Sequence, residues 1–440
     1  MGLTLERTGN LSNRPERAGL LRASLGQLLC QKLKRLNLPI IGAMVVILAV
    51  GIFLRIYPSA GFSGLGVDER AYTVFLKQIQ RAGLINYDAV VRVFVEKQYH
   101  RPDAVVPATR IGFLVPAYLC GKLFHLSDFD ALRDIACAAS ILTLILCAWF
   151  GFRLGGISAM IALTVVLATA PLQICLSQRA LIDGYFAFWA VACVWLAWEN
   201  LQRARHWGWL SAYAFCLAML VLTKENGAFV VFALLGVFLL NRWLDLGKVT
   251  PHLLIATVAG AAIAVLFLAA LIGGLPEWAR FYLMFETKSR TNVYSVFAQD
   301  GPWFRYLIDF TLISPVVIAL AMGTIFQLRK ADRPTVFMAT FLGLSFASMS
   351  VITYGMSLRY AAYWEIPLAW LACSQILRLA EQFPKIHPAI ISGGLLLIVG
   401  GCNLQQYNRF FVRGAIYDPV TAQLVKASNL VKISDPSPAP

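Results

Sequence analysis

The chain has 440 residues, of which 59% are hydrophobic and 14% charged. A soluble protein of this size carries nearer a quarter charged residues, so the composition excludes an ordinary soluble enzyme and predicts an all-α, polytopic helical membrane protein. The net charge of +15 does not argue for nucleic acid, because the basic residues cluster in short loops between apolar runs, as cytoplasmic loops do.

In chain order, roughly the first 38 residues are basic and polar, with Arg7, Arg14, Arg17, Arg22, Lys32, Lys34 and Arg35. They predict a cytoplasmic N-terminus, and Leu20 to Leu36 is suited to a basic interfacial helix. The first apolar run, about 39–57, is long enough to span a bilayer. It delivers Gly66-Val67-Asp68-Glu69-Arg70-Ala71-Tyr72 to the far side. Tyr72, Phe75, Leu76 and Ile79 then recur at helical spacing, which predicts an amphipathic juxtamembrane helix in a first outer loop of roughly 58–131. Within that loop, 104–126 is apolar, but Arg110, Pro107, Pro116 and Lys122 interrupt it. If this piece crossed, every later basic loop would fall outside. It is therefore read as interfacial or re-entrant.

Further spans are predicted at approximately 132–152, 157–175, 183–199, 208–222, 226–243, 251–274, 304–327, 334–352, 360–379 and 388–404. With the first, that makes about eleven. The domain reading is a cytoplasmic segment 1–38, a transmembrane domain 39–404 with a second outer loop at 275–303, and an outer tail 405–440. The tail ends in Ser-Asp-Pro-Ser-Pro-Ala-Pro, a composition that predicts disorder. The nine cysteines are scattered without a CxxC pair, so neither a disulfide framework nor a metal site is expected.

On this topology, ionisable residues gather on the outer face, where they face a cavity or each other rather than lipid. The first loop brings Asp68, Glu69, His100, Arg101 and Asp103. Later turns bring Arg179, Asp183, Lys224 and Glu225, and Arg359 opens the tenth span. Each also has an ordinary explanation. Asp68 suits a helix N-cap and Glu69 a first turn. Arg179 and Asp183 have the spacing of an in-helix pair. Lys224 and Glu225 fit a loop pair, and Arg359 could snorkel to headgroups. Together they form a kit for a phosphate leaving group. Cations hold the phosphate, and a carboxylate takes a proton from an acceptor hydroxyl. No Gly-rich nucleotide loop, HExxH or GxSxG appears.

These residues carry a resemblance. Asp68-Glu69-Arg70-Ala71-Tyr72 after the first span, Arg101-Pro102 near the end of the first loop, and Arg133 are followed by Ser177-Gln178-Arg179-Ala180-Leu181-Ile182-Asp183. Leu222-Thr223-Lys224-Glu225-Asn226, then Arg359-Tyr360 with Pro367, complete the series. The chain resembles the GT-C superfamily of polyprenyl-phosphate-sugar glycosyltransferases, in particular protein O-mannosyltransferases and lipid A aminoarabinose transferases. The resemblance implies Asp68 as the base that activates the acceptor, with Glu69 in support. It implies Arg101, Lys224 and Arg359 at the donor phosphate, and Tyr72, His100, Arg179 and Asp183 lining the cavity. It also implies inversion at the anomeric carbon and a membrane core carrying amphipathic helices. The family is metal-variable, which leaves a divalent metal open.

The chain departs from some relatives in having Arg70 and Ala71 where they carry Arg one position later, and Arg101-Pro102-Asp103 at the end of the loop. The expected reading is a transferase of the cell inner membrane with its site on the outer face. It would move a sugar from a polyprenyl-phosphate donor to a lipid, glycan or protein hydroxyl. The alternatives are a transporter or flippase of a lipid-linked saccharide, and a ligase or polymerase using pyrophosphate-linked donors. Few charges lie at mid-depth, which disfavours the first. Residues 277–301 are only modestly basic, which disfavours the second.

Overall fold

The structure is a computed structural model that describes residues 38–57, 66–100, 107–204, 206–330, 332–352, 355–414 and 419–427. The basic N-terminal segment and the final Ser-Asp-Pro-rich stretch lie outside the described residues. The chain divides into units 1–47 and 48–440. In the first, the described residues form the start of α1 (Leu38–Ile56). Everything below concerns the second unit.

Among the described residues all regular structure is helical. Five helices among the described residues are long and apolar enough to cross a membrane: α1, Asp128–Ala168, Gly227–Leu244, Pro251–Ile272 and Pro388–Val412. The helix Asp128–Ala168 (α5) covers two of the predicted spans, and geometry explains how. Gly156 has φ of 76°, outside any helix. A Cβ on Gly151 would lie 3.0 Å from the Ala159 carbonyl oxygen and 3.1 Å from Met160 Cα. In a straight helix, residues eight apart are about 12 Å apart. The chain therefore folds back here as a hairpin, and the turn carries Arg153, which makes two 3.2 Å bonds to Glu199.

The second arm of the hairpin stops at Ala168, and α6 (Pro171–Ser177) starts just beyond it. This break exposes carbonyls on one side and N–H groups on the other, which must be satisfied where no water reaches. Arg55, from the end of α1, donates to the carbonyls of Leu167 at 2.9 Å and Ala168 at 3.4 Å. The Glu365 carboxylate accepts from the N–H groups of Leu172 at 3.3 Å and Gln173 at 3.1 Å. Each charge meets the helix end of opposite dipole sign.

Two expected pieces behave differently from plain spans. The stretch 104–126 yields the helix α4 (Ile111–Phe124), whose 14 residues reach only about 21 Å. That is short of a hydrocarbon core of about 30 Å. The stretch 304–327 is not one helix. Arg305–Ile313 and Pro315–Phe326 meet at 119°. Pro315 has no N–H to continue the first helix, and its ring obstructs a helical Ser314.

The amphipathic helix α2 (Val67–Ala82) forms as the spacing predicts. Its buried face is Tyr72, Phe75, Leu76 and Ile79, packed in one cluster with Val91, Phe113, Leu114 and Leu132. Burial of each large side chain there contributes about 1.5–3 kcal/mol. The segment after the helix Pro388–Gln406 is structured in part. Pro419–Ala427 is helical, the Asp309 carboxylate accepts from Val420 N–H at 3.0 Å, and Arg305 donates to Thr421 Oγ1 at 2.6 Å.

Candidate active site

The site forms where several helix ends meet. Asp68 and Glu69 lie in the first turn of α2. Asp183 lies in the first turn of α7 (Ile182–Gln202), and Lys224 follows α8 (Trp207–Thr223) as its C-cap. Arg359 lies in a 3-10 segment, Leu358–Trp364, just before the helix that begins at Glu365. Arg110 is the N-cap of α4. A Cβ on Gly112 would lie 2.8 Å from Thr223 Oγ1 and 3.0 Å from the Leu222 carbonyl carbon, so only glycine admits this crossing of α4 and α8. That crossing sets Arg110 beside Glu225.

Three cation–carboxylate pairs result. Arg359 Nη2 donates to Asp68 Oδ2 at 2.5 Å. Lys224 Nζ donates to Asp183 Oδ1 at 2.5 Å, with Arg359 Nε 3.8 Å from Asp183 Oδ2. Arg110 Nη2 donates to the Glu225 carboxylate at 2.8 Å. The first two pairs share one aromatic ring: Lys224 Nζ lies 3.6 Å from the Tyr360 ring centre, and the Arg359 guanidinium 5.2 Å from it. The ring quadrupole attracts a cation over its face.

The paired acids of the sequence part company in the structure. Glu69 is 1% exposed. It receives 2.9 and 2.6 Å bonds from Arg179, 3.0 Å from Ala180 N–H and 2.8 Å from Gly66 N–H. It thus closes its own helix start and clamps the turn before α7. Arg179 therefore pairs with Glu69 and not along the chain with Asp183. Asp68 is 38% exposed and makes its ion pair with Arg359.

Of the other predicted site residues, Tyr72 sits with its ring edge-on to Phe113, 5.9 Å between centres. Burial raises its hydroxyl well above the ordinary tyrosine range; Arg110 opposes this, while Asp68 and Asp183 add to it. It is therefore a core residue whose polar end senses the site. His100 is exposed at the end of the helix Tyr87–Tyr99 (α3) and makes no described contact with the cluster. Arg101 lies outside the described residues. The end of α3, just before it, is held by Lys288, whose Nζ donates to the carbonyls of Gln98 and, at 3.3 Å, Tyr99. Lys288 thus places a cation at the negative end of that helix.

Sequence reasoning missed Arg110 as a site residue. Its signal was a lone arginine inside an apolar stretch, which marks a cavity-facing group more often than a lipid-facing one. Burial lowers the Arg110 guanidinium, but the Glu225 carboxylate together with Tyr72 and Tyr282 more than offsets this, so it stays charged. Burial pushes the Tyr282 hydroxyl up to about 12, with Glu225 adding and Arg110 opposing. It therefore remains a protonated donor at neutral pH. Among the described residues no group of three or more His, Cys, Asp or Glu is placed to hold a metal ion. The two carboxylates that could start one, Asp68 and Asp183, already share the Arg359 guanidinium.

The comparisons agree with this architecture. The family model of dolichyl-phosphate-mannose-protein mannosyltransferase matches residues 121–288. ArnT from Cupriavidus metallidurans, bound to undecaprenyl phosphate, aligns at 14% identity over 88% of this chain and 75% of that one, with a TM-score of 0.56. The oligosaccharyltransferase of Archaeoglobus fulgidus in complex with Zn and sulfate aligns at 12% identity over 90% of this chain and 56% of that one, TM-score 0.56. AglB from the same organism, in complex with an inhibitory peptide and a dolichol-phosphate, aligns at 11% over 89% and 56%, TM-score 0.52. The chain thus spans little more than half the length of the oligosaccharyltransferases. No curated protein sequence matches it.

The comparisons show a mannosyltransferase family model over 121–288, well under half of the chain, and a helical membrane fold like that of ArnT and AglB. The matched mannosyltransferase region runs from the end of α4 into the helix Leu275–Thr291 (α11). It contains Asp183 and Lys224 but not Asp68 or Arg359.

Proposed function

We propose that the protein transfers a sugar from a polyprenyl-phosphate donor to a hydroxyl of a lipid, glycan or protein acceptor. The observation that carries this reading is the cluster itself: one part-exposed carboxylate, Asp68, lies 2.5 Å from a cation that is packed beside a second. The acceptor oxygen attacks the anomeric carbon, its proton passes to Asp68, and the sugar–phosphate bond breaks with its electron pair going to the phosphate. Attack opposite the leaving group inverts the anomeric centre. Lys224 and Arg359, with Arg101, neutralise the departing phosphate, for which a guanidinium supplies a fork and an ammonium a compact charge. Asp183 holds Lys224 in place, and Glu69 fixes the turn that carries Asp183. The family model and the lipid phosphates in two of the related structures support the donor class.

The cell inner membrane, with the site on the periplasmic face, is the location that fits the basic loops. Purified protein in liposomes loaded with a polyprenyl-phosphate sugar and acceptor should release free polyprenyl phosphate. A flippase would release none, and that result would end the transferase reading. In the same assay Asp68→Asn should lower turnover at least about a hundredfold while inserting normally. Normal turnover in that variant would remove Asp68 from the role of base.

A further inference from the structure

We infer that the short C-terminal helix Pro419–Ala427 is a positioning element for the donor-phosphate site: it closes a buried polar frame, built on Arg305 and Asp309, that holds the segment carrying Arg359. This rests on the role given above to Arg359 and adds to it a support from far along the chain. Three observations lead to it.

First, the frame buries charge that the proposed reaction does not use. Arg305 is 1% exposed and Asp309 0%, and buried ions are costly unless they are matched. Arg305 Nη1 donates to the Asp300 carbonyl and Nη2 to the Ala298 carbonyl, both at 2.7 Å. The arginine therefore fixes the loop 298–300 from inside. Second, this loop and the helix after it grip the Arg359 segment at both ends. The Gln299 carbonyl lies between the two that Arg305 holds, and it accepts from Met356 N–H at 2.7 Å. Met356 is three residues before Arg359. At the other end of Leu358–Trp364, the Trp364 ring meets Tyr306 edge-on at 5.2 Å between centres and Phe310 at 6.0 Å. Both rings belong to the helix Arg305–Ile313. Third, the C-terminal helix completes the frame. Thr421 Oγ1 accepts from Arg305 Nη2 at 2.6 Å, and the Asp309 carboxylate accepts from Val420 N–H at 3.0 Å. Nine residues are too few to hold a helix alone in water, so its packing against Val293–Ala298 and Arg305–Ile313 is what forms it. Without it Arg305 and Asp309 each lose a partner, and the loop that they fix loosens around Met356.

The test uses the purified, detergent-solubilised full chain and two readouts: hydrogen exchange of the peptide covering 355–360, and affinity for undecaprenyl phosphate. Thr421→Val removes the accepting hydroxyl at nearly constant volume. It should speed exchange over 355–360 at least about threefold and weaken undecaprenyl phosphate binding about fivefold, with exchange over Asp128–Ala168 unchanged. Thr421→Ser keeps the hydroxyl and should behave as wild type in both. In an Arg359→Lys background, Thr421→Val should change affinity less than about twofold, because the placement it maintains is already lost. Val420→Pro deletes the N–H given to Asp309 in the first turn of a helix, where proline is admitted. It serves as the second variant should the valine protein not assemble. Normal exchange over 355–360, unchanged affinity, or weakening that persists in full beside Arg359→Lys would each overturn the positioning role and leave the donor reading standing. No binding of undecaprenyl phosphate to wild type would instead remove the donor reading, and this role with it.

Discussion

Two regions of the molecule bury charge, and they use it in opposite ways. At the break after Ala168, Arg55 and Glu365 are aimed at backbone: carbonyls on one side, N–H groups on the other. Those partners are part of the main chain and cannot leave. Around Tyr360, the cations Lys224 and Arg359 are aimed at side chains, and one of the acids, Asp68, opens to the exterior. Those partners are side chains and not main chain. The same contrast is repeated within one helical turn. Glu69 receives four bonds and is closed off, while its neighbour Asp68 is more than a third exposed. Burial alone therefore does not mark a reactive charge.

The contrast can be broken by substitution, and the largest effect belongs to the closed carboxylate. Glu69→Ala removes the two bonds that the buried Arg179 guanidinium makes to Glu69, and breaking a buried ion pair costs about 3–5 kcal/mol. Thermal unfolding in detergent should show a much lower midpoint or no assembled protein. Asp68→Asn should leave that midpoint nearly unmoved while turnover falls at least about a hundredfold. If both variants unfold alike, the distinction between the two acids is lost. Arg359→Lys keeps the charge but not the fork, so it should raise the donor KM roughly tenfold with assembly intact. An unchanged KM would take Arg359 away from the phosphate. The smallest effect is expected at the hairpin turn. Gly156→Ala forces a side chain into a left-handed backbone at φ 76° and should cost about 1–2 kcal/mol, read as a small drop in midpoint with turnover per folded molecule unchanged.

Much of the fold was legible in the sequence because lipid imposes a simple rule: long apolar runs must be helices. The amphipathic spacing from Tyr72 to Ile79 was equally plain, and it names the buried face. The weak points were local. An apolar count over 304–327 passes over the 119° bend, because it gives no weight to Pro315, whose missing N–H and ring end the first helix at Ser314. Residues 128–168 were separable into two spans only through the basic Arg153 and the glycines beside it. In the site, Asp68, Asp183, Lys224 and Arg359 were nameable from charge at span ends, whereas Arg110 was hidden inside an apolar stretch.

By itself the sequence determined a helical membrane protein and the short polar patches that had to meet at helix ends, since hydropathy and charge are properties of the chain read linearly. Only the tertiary structure decided the pairings: Glu69 with Arg179, Asp183 with Lys224, Asp68 with Arg359, and Glu225 with Arg110. Partners that lie up to 291 positions apart are chosen by how helices cross, and a crossing depends on side-chain shapes on both surfaces, which no single segment contains.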